Sequence, residues 1–280
     1  MARRRYTIDE QRIALFEQEG RGRGVGADYK PWLAIQDVPS TGRSTRLRGI
    51  HTGRIHHLLS DIERSLFYCL DWEDSVADIR EQFPLDRSAT SQIAEACNIP
   101  HPRFPGMVTP MVMTTDFVVD ACAGGKLVQT AYAVKSAKDL DQPRTLEKLE
   151  IERLYWERKE VEWSIVTPAV LPTQLIRNIE WVHNFYRLEG LVEPHPGFYQ
   201  DAGRRMRAQV SASPWLSLRQ FCGDMEVRLG LGSEEGLMLF RHFLATKSVL
   251  CDMDSVVLSD PLITMASFRT LPGGRQENRA

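Results

Sequence analysis

No stretch of this sequence approaches the roughly 18 apolar residues of a membrane-spanning helix. The start, Met1-Ala2-Arg3-Arg4-Arg5-Tyr6-Thr7, runs into polar and acidic residues and lacks the apolar stretch of a secretory leader. A cytoplasmic location is expected, with no membrane partner. Cysteine is sparse and scattered: Cys69, Cys97, Cys122, Cys222 and Cys251 are far apart in the chain. That excludes a CxxC knuckle or zinc spacing and predicts reduced thiols. No Ser sits in a nucleophile elbow and no Cys in a nucleophile motif. A strong excess of one charge is missing too, since 35 Lys and Arg against 37 Asp and Glu give a net charge of −2. With 42% hydrophobic and 26% charged residues over 280 positions, the chain is neither disordered, collagen-like nor a coiled coil. Its length suits one large domain or two ordinary ones.

The charge is unevenly placed. Residues 1–60 carry eleven Lys or Arg, almost all Arg, against six acids. Residues 1–48 read as an extended basic arm with one short helix near 8–19. Gly20, Gly22, Gly24 and Gly26 alternate with Arg21, Arg23 and Val25, without the Lys-Ser/Thr ending of a P-loop. A flexible basic segment is predicted. Arginine forks suit phosphate, so Arg21, Arg23, Arg43, Arg46 and Arg54, with His56 and His57, are candidate DNA contacts.

Downstream, periodicity predicts a helix over 56–70, strands near 76–83, 112–120 and 127–135, a helix over 144–160 and a strand over 161–167. The order is α-β-β-β-α-β, an α/β core with a mixed sheet over 49–168. Pro168 and Pro172 mark a boundary. Residues 169–280 predict helices at 174–188, 217–228 and 234–247, with Gly230-Leu231-Gly232-Ser233 as a tight turn. Short β pieces are expected at 249–252, 256–258 and 262–268, a winged-helix pattern in an otherwise all-α domain. The last eight residues are expected to fray.

The chemistry lies in three carriers. Glu63 falls inside the apolar stripe of Leu59, Ile62, Leu66 and Leu70, where a carboxylate needs a partner or a metal. Asp116 stands in mid-strand, against propensity. A hairpin centred between Gly124 and Gly125 puts Asp116 opposite Ala133, with Lys135 diagonally beside it. Carboxylates that bind Mg²⁺, with a Lys near the scissile phosphate, are the equipment of metal-dependent nucleases. Glu147, Lys148, Glu152 and Arg153 read as helix-surface pairs, and His101 as a turn residue.

The order helix-Glu, strand-Asp, strand-x-Lys resembles the restriction-endonuclease fold. Longer strings narrow the resemblance: Gly53-Arg54-Ile55-His56-His57-Leu58-Leu59-Ser60-Asp61-Ile62-Glu63, Asp78-Ile79-Arg80-Glu81-Gln82-Phe83-Pro84-Leu85, Thr114-Thr115-Asp116-Phe117, Ala133-Val134-Lys135 and Arg144-Thr145-Leu146-Glu147-Lys148-Leu149-Glu150-Ile151-Glu152-Arg153. Asp28-Tyr29-Lys30-Pro31-Trp32-Leu33 and Pro39-Ser40-Thr41-Gly42-Arg43-Ser44 fit the same pattern. Over roughly residues 10–182 the chain resembles the TnsA endonuclease subunits of heteromeric Tn-seven-type transposases. The resemblance implies hydrolysis of the 5′, non-transferred strand at transposon ends. A partner DDE-type transposase (TnsB) would cut and join the 3′ ends, and an AAA+ ATPase regulator (TnsC) would dock on the C-terminal domain. It also implies Glu63 and Asp116 as ligands of Mg²⁺, which Mn²⁺ would replace, and Lys135 as the catalytic lysine. One position departs: Ala133 stands where the family pattern has Gln or Glu. The Val134 carbonyl, Glu147 or Glu150 are the candidate substitutes, and weaker metal binding is expected. A non-catalytic adaptor and a stand-alone restriction or repair nuclease are the alternatives.

Overall fold

The computed structural model describes residues 8–38, 43–104 and 106–270. Arg3–Arg5, the Pro39–Gly42 part of the family string and the C-terminal eight residues lie outside them. The chain divides into two units at Leu171/Pro172.

The first unit begins with α1 (Glu10–Gln18), capped by Asp9, whose carboxylate accepts from Arg12 N at 2.9 Å. Its apolar side buries Ile13 and Phe16, and Trp32 meets Phe16 edge-on at 5.3 Å. Removing such side chains from water contributes roughly 1.5–3 kcal/mol each. The expected extended arm is therefore corrected: residues 9–37 pack as part of the domain. The Gly-rich stretch is a tight turn and not a flexible linker. Gly22 has φ +74, and a Cβ there would lie 2.2 Å from Pro84 Cγ. At Gly24, with φ +92, a Cβ would meet Asp28 O at 2.5 Å.

Next, β1 (Thr45–Arg48) and β2 (Ile55–Leu58) form an antiparallel pair, Leu47 opposite His56. The predicted helix at 56 thus starts later, as α2 (Asp61–Trp72), because Ser60 caps it by accepting from Glu63 N at 3.1 Å. Four-residue strands are too short to show a period. β3 (Val76–Pro84) leads to α3 (Arg87–Ala96), an element the sequence reading left out. Its buried face is Thr90, Ile93 and Ala94, small or polar enough to blur the apolar stripe. β4 (Thr114–Ala123) and β5 (Lys126–Val134) follow, then α4 (Ala137–Leu140), α5 (Pro143–Glu157) and β6 (Glu162–Val166).

The four-stranded sheet has the order β3-β4-β5-β6, antiparallel except for the parallel β5/β6 pair. The hairpin has the expected register, Val119 opposite Thr130 and Ala123 opposite Lys126. Ile93 of α3, Val118 and Ala131 of the sheet, and Ile151, Tyr155 and Trp156 of α5 share one core cluster.

A buried charge network ties β1/β2 to β3. Glu81 is fully buried and takes the Arg54 guanidinium on both oxygens, His56 Nδ1 at 2.8 Å and His57 N at 3.0 Å. Tyr29 Oη donates to the Glu81 carbonyl at 3.1 Å. Burial alone would raise the Glu81 pKa, but His56 and Arg54 hold it well below the carboxylate range. A depressed folded pKa contributes stability that is present above the unfolded value of about 4.3 and lost as pH falls below it. Glu81→Ala strands Arg54 in the interior and is expected to cost about 3–5 kcal/mol. Urea unfolding at pH 7 checks the loss, and the variant should also lose the part of the acid sensitivity that Glu81 is expected to confer.

The second unit contains α6 (Thr173–Val182), α7 (Phe198–Arg207), α8 (Leu218–Leu229) and α9 (Glu235–Ala245). Gly230, at φ +68, ends α8 and turns the chain toward α9. Of the β pieces expected after α9, 249–252 supplies β7 (Val249–Leu250), paired with β8 (Arg269–Thr270), and 262–268 supplies a single antiparallel bridge, Thr264 opposite Ser217. Residues 256–258 form no strand, and a short 3₁₀ segment, Met265–Ser267, follows the bridge. No helix among the described residues is long and apolar enough to cross a membrane. No disulfide forms among the described residues.

Candidate active site

The structure brings Asp116, Lys135 and Val134 together. Asp116 Oδ2 accepts from Val134 N at 2.6 Å and from Lys135 Nζ at 2.8 Å. Lys135 Nζ also donates to the Val134 carbonyl at 2.8 Å. Burial works against the lysine's charge, but Asp116 outweighs it and the pKa is raised. Paired with Asp116 in this way, Lys135 is an ammonium at neutral pH.

Glu63 sits in the first turn of α2, 6% exposed. Its Oε2 accepts from Leu59 N at 2.9 Å and its Oε1 from Ser60 Oγ at 2.9 Å. Burial first, then the Asp116 charge, push its pKa up to about 7. The Asp116 charge thus acts on Glu63, and Lys135 acts on it in the opposite sense.

A third carboxylate was not legible as part of the site. Glu152 of α5 is 5% exposed, not on the helix surface as expected. Its Oε1 accepts from Thr115 Oγ1 at 2.8 Å and from Trp163 Nε1 at 3.1 Å, while Trp156 Nε1 donates to Thr115 Oγ1 at 2.7 Å. Burial and Asp116 raise its pKa to about 7. The available signal was its spacing from Tyr155 and Trp156, which places it on their side of the helix. By contrast Glu147 pairs with Arg144 at 2.5 Å and Glu150 with Arg153 at 2.8 Å, each with a half-exposed side chain. Neither replaces the donor missing at Ala133, which is itself fully buried.

The donors suit a hard cation. Asp116 Oδ2 and the Val134 carbonyl converge on the point now held by Lys135 Nζ, and both are oxygens. Mg²⁺ and Mn²⁺ accept one or two carboxylates with water and substrate phosphate filling the remaining positions. No group of three or more His, Cys, Asp or Glu placed to hold a metal ion occurs among the described residues.

The candidate DNA contacts separate into two groups. Arg54 and His56 belong to the buried Glu81 network, which corrects their expected placement at the surface: their side chains are 8% and 0% exposed. Arg21 and His57, with Lys30, Gln36 and Glu19, line an open groove of about 390 Å³. Arg21 is held there by Asp37 at 2.5 Å and lies 3.6 Å above the Phe16 ring. Burial lowers the His57 pKa, so this ring is neutral near pH 7. Arg46 reaches Gln36 at 3.5 Å, Arg43 pairs with Asp61 at 3.2 Å, and Arg23 is exposed. His101 packs internally, with Nε2 3.1 Å from Thr90 Oγ1.

Comparison with known proteins adds a family to this description. The family described as TnsA-like endonuclease N terminal matches residues 73–168, which include Asp116, Val134, Lys135 and Glu152. The family described as TnsA endonuclease C terminal matches residues 171–253. The transposon Tn7 transposition protein TnsA of Escherichia coli is 50% identical over 184 residues, which is 66% of this chain and 66% of that protein. Consecutive matches to the two halves of one family, meeting at the boundary between the two units, together with that identity, leave one assignment: the chain belongs to the TnsA endonuclease family.

Proposed function

We propose that this protein is the metal-dependent endonuclease subunit of a heteromeric transposase, and that it hydrolyses the 5′ strand at transposon ends. The observation that carries the reading is the convergence of Asp116 Oδ2 and the Val134 carbonyl on one cation-sized point beside Lys135. Asp116, the Val134 carbonyl and Glu63 would hold Mg²⁺ or Mn²⁺. When bound, the ion supplies charge neutralisation at the phosphodiester and a more acidic water. Lys135 brings a permanent positive charge to the same phosphate, where negative charge develops as the P–O bond breaks. Glu63 must be ionised to act as a ligand.

The DNA strand is expected to run along the surface of Arg23, Arg43 and Arg46 and the groove of Arg21, Lys30 and His57. Such contacts release counterions, so affinity should fall steeply with salt. Arg46→Ala is expected to weaken binding to all sequences alike and to lower the salt slope by about one. Fluorescence anisotropy between 50 and 300 mM salt measures both, and a flat salt response would remove DNA contact from this surface. In the second unit, α8, the Gly230 turn, α9 and the β7/β8 pair support the winged-helix reading. That unit is the proposed dock for the DDE transposase and the AAA+ regulator, in the cytoplasm.

Strand-resolved cleavage of labelled transposon-end DNA, with the partner transposase and Mg²⁺, tests the function. Cuts confined to the 5′ strand support it. Cuts without any partner would favour a stand-alone nuclease. The buried Ala133, which offers no side-chain donor, favours an adaptor. That reading wins if 5′ cuts are absent while 3′ cleavage still needs this chain.

A further inference from the structure

Gln82 lies in β3 where the ladder passes from Glu81 opposite Phe117 to Phe83 opposite Thr115. Its backbone has φ +48, the left-handed region that a residue with a side chain seldom enters. Such a conformation persists only where its surroundings over-determine it, most often beside a functional site. Here three contacts do so. The Gln82 carbonyl accepts from Trp32 N at 3.1 Å. Its Oε1 accepts from Thr114 Oγ1 at 3.1 Å, and its Nε2 faces Asp116 Oδ1 at 3.4 Å. The residue is 3% exposed.

The chemistry of the partners sets the amide's orientation. An ionised carboxylate only accepts, so the NH₂ end must face Asp116. The Thr114 hydroxyl then donates to the other end. Asp116 is thereby held from both neighbouring strands, Oδ1 by Gln82 of β3 and Oδ2 by Val134 N of β5. A carboxylate held at both oxygens cannot swing away from the Val134 carbonyl. None of the residues that would touch metal or phosphate supplies this restraint on Oδ1.

We propose that Gln82 is a positioning residue for Asp116: its side-chain amide fixes the carboxylate in the orientation that receives the metal ion. The inference rests on the nuclease reading above. Partners that orient a ligand typically contribute ten- to hundredfold in metal affinity or activity.

The test uses the full chain and Mn²⁺ as probe. Gln82→Gly keeps the left-handed backbone accessible and removes the side chain with its amide. Gln82→Met keeps the bulk and loses the donor, and it serves if the Gly variant fails to fold. Electron paramagnetic resonance titration should show Mn²⁺ binding about tenfold weaker or worse in both. Cleavage should fall in parallel, while DNA affinity and the thermal midpoint stay at the wild-type values. Wild-type Mn²⁺ affinity in a folded variant overturns the proposal and leaves the nuclease reading intact. If the wild-type chain binds no Mn²⁺ that Asp116→Ala abolishes, both fall together.

Discussion

Asp116→Ala is expected to abolish 5′-strand cleavage while leaving the chain folded and able to bind DNA. Asp116 touches both the lysine and the strand supplying the second oxygen. Losing it removes several kcal/mol of transition-state stabilisation, about a thousandfold in rate. The substitution has a second signature that needs no substrate. Burial comes first in raising Glu63 and Glu152 to about 7, and the Asp116 charge comes second in both. Without that charge both carboxyls should titrate lower, which carbon-13 NMR of the carboxyl groups reads directly. Unchanged titration of both would show that Asp116 does not share their site.

The same pKa values predict the pH dependence of the wild-type protein. Glu63 is raised above its ordinary range, so it carries a proton below pH of about 7 and is a carboxylate above it. Only the ionised form ligates a cation, so metal binding releases protons and tightens as pH rises. The cleavage rate at limiting metal should climb through this region, and added metal should move the climb to lower pH.

Much of this arrangement is legible in the sequence, because it depends on local rules. The Gly124-Gly125 turn sets the hairpin register, and the register places Asp116 and Lys135 at one end of two neighbouring strands. Glu63 stands out because a carboxylate in an apolar stripe has few comfortable explanations. What escaped depends on the tertiary structure. Arg54 and His56 look like surface phosphate contacts until Glu81, far along the chain, is brought beneath them. Glu152 and Arg153 are neighbours in a charged helix, yet packing buries one against Trp163 and leaves the other paired with Glu150 and Glu157 at the surface. Gln82 has no sequence signal at all. Its left-handed backbone and its reach to Asp116 exist only once β3 and β4 are paired. The Gly-rich turn carries the opposite lesson. Glycine licenses both flexible linkers and tight packing, and only the neighbours, here Pro84 and the Asp28 carbonyl, decide between them.

Lys135→Ala should separate metal binding from catalysis more sharply than any other substitution. Its ammonium occupies the point where Asp116 Oδ2 and the Val134 carbonyl converge, 2.8 Å from each. A cation entering there must displace it or share the oxygens with it. A divalent ion and an ammonium 4 Å apart at an effective dielectric of 20 repel by about 8 kcal/mol, and the lysine's 27% side-chain exposure screens part of that. Removing the ammonium is therefore expected to tighten Mn²⁺ binding about tenfold, a gain of about 1.4 kcal/mol. Cleavage should nevertheless fall about a hundredfold or more, because the charge that meets the phosphate in the transition state is gone. Raising the pH should not rescue it, since the alanine leaves no group there to titrate. Lys135→Arg should not rescue it either, because a planar fork does not fit a position built for a point charge between two oxygens. Weaker Mn²⁺ binding in Lys135→Ala would refute the competition and make the lysine a brace for Asp116 instead. Tight binding without cleavage would mean that this ammonium gives up its place among the oxygens when metal arrives, and is then free to reach the scissile phosphate.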